Sequence, residues 1–138
     1  NALPQRATAN VNCRIFPGVS IDTIKAKLTE VIADPSAKIT VLDDPAFSDA
    51  SPLRPDVMAA VTKAIHARYP KLEIAPGMSA GATDSLYFRN LGVPSYGVSS
   101  LFMRPEDGFA HGLNERVPTA TIGAALDQWH SVLTDIGK

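Results

Sequence analysis

Residues 8–16 alternate between two kinds of side chain. Ala9, Val11, Cys13 and Ile15 share one face, and Thr8, Asn10, Asn12 and Arg14 share the other. A period of two predicts a strand with one buried face, and it reads Cys13 as a core residue. Pro17-Gly18 ends it. Ser20 is suited to cap the next element, in which Ile21, Ile24, Leu28, Val31 and Ile32 recur at helical spacing. Asp34-Pro35-Ser36 stops that helix, and residues 38–43 predict a second strand around Ile39 and Val41. A β-α-β unit of this kind is half of a small open-faced α/β sandwich. It leaves its own sheet edges poorly covered.

The polar, proline-containing run between Asp43 and Leu53 reads as a connection, dividing the chain into residues 1–45 and 46–138. Ser51-Pro52 predicts a helix start, cap then first-turn proline, for a helix over 52–68. Met58, Val61 and Ile65, with Ala60 and Ala64, form its apolar side. Residues 72–75 predict a short buried strand. A glycine-rich stretch comes next, then a helix over 84–90 stopped by Leu91-Gly92-Val93-Pro94. Residues 95–98 predict another strand, and a loop carries Arg104 to Gly108. The last helix, 118–136, shows Ile122, Leu126, Trp129, Leu133 and Ile136 on one face.

Composition changes this picture little. The chain has 138 residues, 45% hydrophobic and 20% charged, as expected of a soluble globular protein. A net charge of −1 argues against a nucleic-acid partner, which calls for a basic face. No apolar run approaches the roughly eighteen residues of a membrane span. One cysteine excludes an internal disulfide and carries no signal of compartment. The first residue is Asn1 and no signal-like segment precedes the first strand, so the sequence reads as a piece of something longer or a processed product.

Candidate chemistry gathers in two stretches. The first is Ala110-His111-Gly112-Leu113-Asn114-Glu115-Arg116. Neutral imidazole is the commonest metal-binding side chain, and Gly108 and Gly112 allow close backbone approach. The other two histidines, His66 and His130, sit in helical patterns and read as partly exposed helix residues. The second stretch is Gly77-Met78-Ser79-Ala80-Gly81-Ala82-Thr83-Asp84-Ser85. Its G-x-S-x-G pattern admits a serine nucleophile at Ser79, with Asp107 and His111 coming later in that order. Against that, Pro76 sits where the preceding strand should end, and the helix begins near Asp84. The same stretch equally suits an anion held by the backbone N–H groups of Gly81, Ala82 and Thr83 at a helix start, or a plain turn capped by Asp84 or Ser85. Arg14, beside Asn10 and Asn12, offers either a fork for a carboxylate or a solvated strand face. The working expectation is that the two stretches meet around His111.

Four features together resemble peptidase family M20, the zinc-dependent amidohydrolases and exopeptidases that include aminoacylases, acetylornithine deacetylase, succinyl-diaminopimelate desuccinylase and carboxypeptidases. Asn1-Ala2-Leu3-Pro4, then Ala7 and Arg14, resembles the family's N-x-x-P…R strand in a lid domain. Ser51-Pro52-Leu53 before a helix resembles the return into the catalytic domain. Gly81-Ala82-Thr83-Asp84-Ser85, with Tyr87, Arg89 and Gly92-Val93-Pro94, resembles the G-[GA]-T-D-x…R…G-V-P segment. Ala110-His111-Gly112-Leu113-Asn114-Glu115 resembles the late H-x-x-[ND]-E motif.

The resemblance implies half of a ferredoxin-like lid (β-α-β) in residues 1–45, succeeded in 46–138 by the C-terminal part of a zinc-exopeptidase α/β catalytic domain. It implies His111 as a metal ligand. It implies Asn1, Arg14, Gly81, Ala82 and Thr83 as substrate-binding residues, and a lid that mediates homodimerisation. It also implies two zinc ions and hydrolysis of amide or peptide bonds in small carboxylate-bearing substrates, as by a carboxypeptidase, dipeptidase or N-acyl amino acid hydrolase. The departures are specific. No histidine precedes His66 and no Glu-Glu pair occurs, so the catalytic base and the remaining ligands are expected upstream, in a missing N-terminal half. The chain alone is then expected to be inactive. A non-catalytic dimerisation or binding module, or a serine hydrolase using Ser79, are the competing readings.

Overall fold

The structure is a computed structural model and describes residues 2–43 and 47–138. These divide into two compact units. The first holds the described residues of Asn1–Ala50 with Met78–Val93; the second holds Ser51–Gly77 and Pro94–Lys138.

In the first unit, α1 (Ile21–Ile32) begins where the sequence places it. Ser20 Oγ accepts a hydrogen bond from the Thr23 amide at 3.1 Å, satisfying one orphan donor of the first turn. The helix ends on Ala33 in the left-handed region (φ 49°), whose N–H donates to the Thr29 carbonyl. Asp34 then makes a tight turn, its Oδ1 accepting from the amide and hydroxyl of Ser36 at 2.8 and 2.7 Å. These bonds, the hydroxyl's first, hold the Asp34 carboxyl below the usual carboxylate range.

The apolar face of this unit is not buried. Among the described residues no element packs on α1, and Val31 is 69% exposed. Residues 8–16 and 38–43 form no strand ladder. Val11 and Phe16 are exposed, and so is Cys13, correcting its reading as a core residue. The reason is physical. A strand face is buried only when further strands and a facing layer exist, and one β-α-β pattern supplies neither.

The second unit has a core. Helix α2 (Pro55–His66) packs against α4 (Ile122–Ile136). Val57, Val61, Ala64, Ile65 and Val132 are its buried centre, with Ile74, Tyr96, Val98 and Phe102 packed against it. The helices therefore lie against the segments 72–75 and 95–98, which carry the strand pattern but no strand hydrogen bonding among the described residues.

Two helix predictions are corrected. Helix α2 starts at Pro55, not Pro52. Ser51 does not cap it, because its hydroxyl is occupied elsewhere: it donates to the Ser95 carbonyl and accepts from the Ser95 amide, both at 2.9 Å. Tyr96 Oη adds a bond to the Pro52 carbonyl at 2.6 Å. On α4 the buried residues are Ala125, Gln128 and Val132, not the larger stripe. Leu126 and Leu133 are 66% and 64% exposed. Ala60 and Ala64 on α2 and Ala125 on α4 are buried as well, so the inward faces of both packed helices carry small residues. Gln128 is buried with its Nε2 donating to the Ser99 carbonyl at 2.8 Å, while its Oε1 has no hydrogen-bond partner among the described residues.

An ion pair also joins the two helices. Lys63 Nζ donates to Asp135 Oδ2 at 2.7 Å, and Lys138 Nζ lies 3.7 Å from the same carboxylate. The bond from Lys63 is the main cause holding the Asp135 carboxyl below its usual range; partial desolvation opposes it. A lowered folded-state value stabilises the fold above the unfolded carboxylate value of about 3.9. That contribution is lost as pH falls through the lowered value. Melting temperatures of the parent and Asp135→Asn should therefore differ at neutral pH and converge below about pH 4. A gap that stays constant to pH 3 would show that the pair does not contribute in this way.

Candidate functional site

His111 lies in the second unit, on a loop between the short 3-10 turn Pro105–Asp107 and the Thr119–Thr121 turn that leads into α4. Its backbone is left-handed, φ 62°. Histidine enters this region more readily than most residues, yet any non-glycine there is uncommon. Neither Gly108 nor Gly112 has positive φ, so the strain falls on the histidine itself. The turn is closed by Gly112 N–H donating to the Phe109 carbonyl at 3.0 Å and Glu115 N–H donating to the Gly112 carbonyl at 3.2 Å. A Cβ at Gly112 would sit 3.1 Å from the Phe109 oxygen, which explains glycine there by crowding rather than by φ.

The imidazole of His111 is exposed, as are Asn114 and Glu115. Arg116 stacks over the Phe109 ring, its guanidinium carbon 3.7 Å from the ring centroid. Phe109 lies just outside the candidate stretch of the sequence, and Arg116 closes that stretch without a role of its own. The available signal was an aromatic and an arginine bracketing the histidine run. A second stack is formed by Tyr69 and Phe102, ring centroids 4.9 Å apart, with Arg68 beside both. Tyr69, Leu72, Phe102, Met103 and Arg104 line a shallow open pocket there.

His66 ends α2, half-buried, with its Nε2 2.9 Å from the Leu72 carbonyl; His130 is exposed on α4. Both fit their reading as helix residues.

The other stretch lies in the first unit from Met78 onward. Ser79 Oγ accepts from the Gly81 amide at 3.1 Å. No helix begins directly after Ser79: α3 (Ser85–Asn90) starts six positions on, with no side-chain cap from Asp84. A nucleophile elbow needs its serine on the strand-to-helix turn itself, so this geometry does not support Ser79 as a nucleophile. Nor do Asp107 and His111 share a hydrogen bond among the described residues. Gly81, Ala82 and Thr83 are exposed. The end of α3 is well defined. Val93 N–H reaches the Phe88 carbonyl and Gly92 N–H the Arg89 carbonyl, both at 2.9 Å, with Gly92 at φ 78°. This paired pattern requires a left-handed residue, hence glycine. Arg89 is structural, its Nε donating to Ser48 Oγ at 2.9 Å. Arg14 is exposed in the first unit, and Asn1 lies outside the described residues.

The donor set for a metal can be tested directly. A catalytic zinc takes three protein ligands. Among the described residues no three His, Cys, Asp or Glu side chains come together. His111 belongs to no such group, and the described residues do not by themselves make up a zinc site.

Comparison with known proteins gives the decisive observation. The chain is 32% identical over 127 residues to the N-fatty-acyl-amino acid synthase/hydrolase PM20D1 of Xenopus tropicalis, covering 88% of the chain and 24% of that protein. It is 31% and 32% identical, each over 124 residues, to the PM20D1 proteins of Bos taurus and Homo sapiens, covering 85% of the chain and 24% of each. The chain belongs to the M20 peptidase family. It spans about a quarter of the length of these M20 relatives. No family model matches the chain, and no solved structure matches it.

Proposed function

We propose that this chain is the C-terminal portion of an M20-type amidohydrolase, and that the whole enzyme cleaves the amide bond of N-acyl amino acids. The relationship over most of the chain to proteins named N-fatty-acyl-amino acid synthase/hydrolase carries this reading. It favours an N-acyl amino acid over a dipeptide or a carboxypeptidase substrate.

In this proposal His111 is one ligand of a zinc site whose other ligands and catalytic base lie outside the chain. Its solvent-facing imidazole supports the role, being open to donors from elsewhere. Zinc in such a site would polarise the amide carbonyl and lower the pKa of a bound water. Asn1, Arg14, Gly81, Ala82 and Thr83 are proposed to face the substrate carboxylate, the arginine through its fork and the others through amide or hydroxyl groups. The fold is proposed as α/β, with α2 and α4 covering one face of a sheet to which 72–75 and 95–98 contribute. Residues 1–45 would be half of a lid whose uncovered face lies against its other half or a second subunit.

Equilibrium dialysis and a hydrolysis assay test the reading together. The 138-residue chain should take up no stoichiometric tight zinc and release no amino acid from N-acyl substrates, whereas the full-length protein should do both. Stoichiometric zinc with turnover in the short chain would overturn the proposal. Turnover of dipeptides but not N-acyl amino acids by the full-length protein would overturn the substrate assignment.

A further inference from the structure

We infer that Phe109 and Arg116 form a staple that holds the His111 turn in its left-handed conformation, making Arg116 a positioning residue for the histidine. The link to activity rests on the reading of His111 as a zinc ligand.

A non-glycine residue at φ 62° persists only where its surroundings hold it. Here the restraints converge on Phe109. Its carbonyl accepts the Gly112 amide at 3.0 Å, closing the turn on the C-terminal side of His111. Its half-buried ring lies under the Arg116 guanidinium at 3.7 Å. The Arg68 contacts with Tyr69 and Phe102 are longer, 5.1 and 5.5 Å. A cation over a ring face is favoured within about 6 Å, so the Arg116 pair lies well inside that range. The two stacked residues flank the histidine run, and Glu115 N–H to the Gly112 carbonyl fills the span between them. The pair joins the two ends of the loop that presents His111, while the imidazole remains open to solvent. Arg116 lies at the loop's far end and acts only through the Phe109 ring.

The test uses the full-length protein with Arg116→Ala, Arg116→Lys, Phe109→Leu, the Ala/Leu double variant and His111→Asn. Hydrogen exchange at the Gly112 and Glu115 amides is read beside kcat and KM for an N-acyl amino acid. Loss of an exposed cation–ring contact should speed exchange at both amides by about two- to fivefold in Arg116→Ala and in Phe109→Leu. The double variant should be no faster than either single one, and α4 amides should not change. kcat should fall with KM held, and Arg116→Lys should restore part of both losses. Unchanged exchange in Arg116→Ala overturns the staple. So do additive effects in the double variant, or equal acceleration along α4. Faster exchange with unchanged kcat, where His111→Asn abolishes turnover, overturns the positioning role. If His111→Asn leaves turnover intact while exchange responds as expected, the reading of His111 fails and the staple stands.

Discussion

Replacing His111 by alanine in the full-length protein is expected to lower amide hydrolysis by about a thousandfold or more. A metal Lewis acid supplies several kcal/mol of transition-state stabilisation, and each 1.4 kcal/mol is about tenfold in rate. Bound zinc, read by mass spectrometry, should fall in the same variant. Alanine also forces a side chain of low left-handed preference onto φ 62°, which disfavours the turn itself. His111→Asn separates the effects, because asparagine tolerates that conformation but lacks the imidazole. It should lose as much activity as alanine. His130, exposed on α4, is the control and should be silent when replaced. His66→Ala should affect stability more than turnover, because its ring bonds to the Leu72 carbonyl at 2.9 Å. Full activity with His111→Asn would remove the metal-ligand assignment.

Ile65→Ala is expected to have the largest effect on stability. Ile65 is 6% exposed in the centre of the α2–α4 core. Its carbonyl also accepts from the amides of Arg68 and Tyr69 at 3.0 and 2.8 Å, ending the helix. Truncating a buried isoleucine to alanine costs about 2–5 kcal/mol, the lost transfer energy plus the cavity. That is a large part of the roughly 5–15 kcal/mol that holds a domain together. The midpoint of urea unfolding should move down with an unchanged slope. In the same 138-residue chain, Leu133→Ala removes a residue 64% exposed, and its effect should stay within about 0.5 kcal/mol, as for surface substitutions. A larger loss at Leu133 than at Ile65 would contradict a core centred on α2 and the small-residue face of α4.

These two residues show how far periodicity reaches. Ile65 lies on an apolar face that spacing alone picks out, and it is buried. Leu133 lies on one just as regular, and it is exposed. Both helices are amphipathic by pattern, but α4 buries Ala125, Gln128 and Val132 instead of its largest residues. Packing against α2 fixes which face of α4 turns inward, and hydrophobicity counts do not register that. Ser51 is similar. Its place before a proline marks it as a cap, but its hydroxyl is taken by both backbone groups of Ser95. That pairing is distant in sequence.

Local grammar was legible where local bonds decide. The Ser20 cap, the Asp34 turn and the Gly92 helix end all rest on contacts within a few residues, and the sequence marked all three. Family membership was legible too, because the Gly81–Ser85 and His111–Glu115 runs stand as short motifs in order. The Phe109–Arg116 stack was not: it is seven positions apart and depends on the path of an irregular loop.

The amino-acid sequence by itself determined that four helices exist and where they stop, the Ser20 cap, the candidate histidine and the family. Those come from the periodicity of single elements and from the chemistry of contiguous residues. Only the tertiary structure decided which helix face is buried, that His111 carries the left-handed strain while its glycine neighbour does not, and that no three metal donors meet among the described residues. The buried face and the metal donors depend on side chains distant in sequence filling, or failing to fill, the same volume, and the strain at His111 depends on the path of an irregular loop. A one-dimensional pattern contains no such distances.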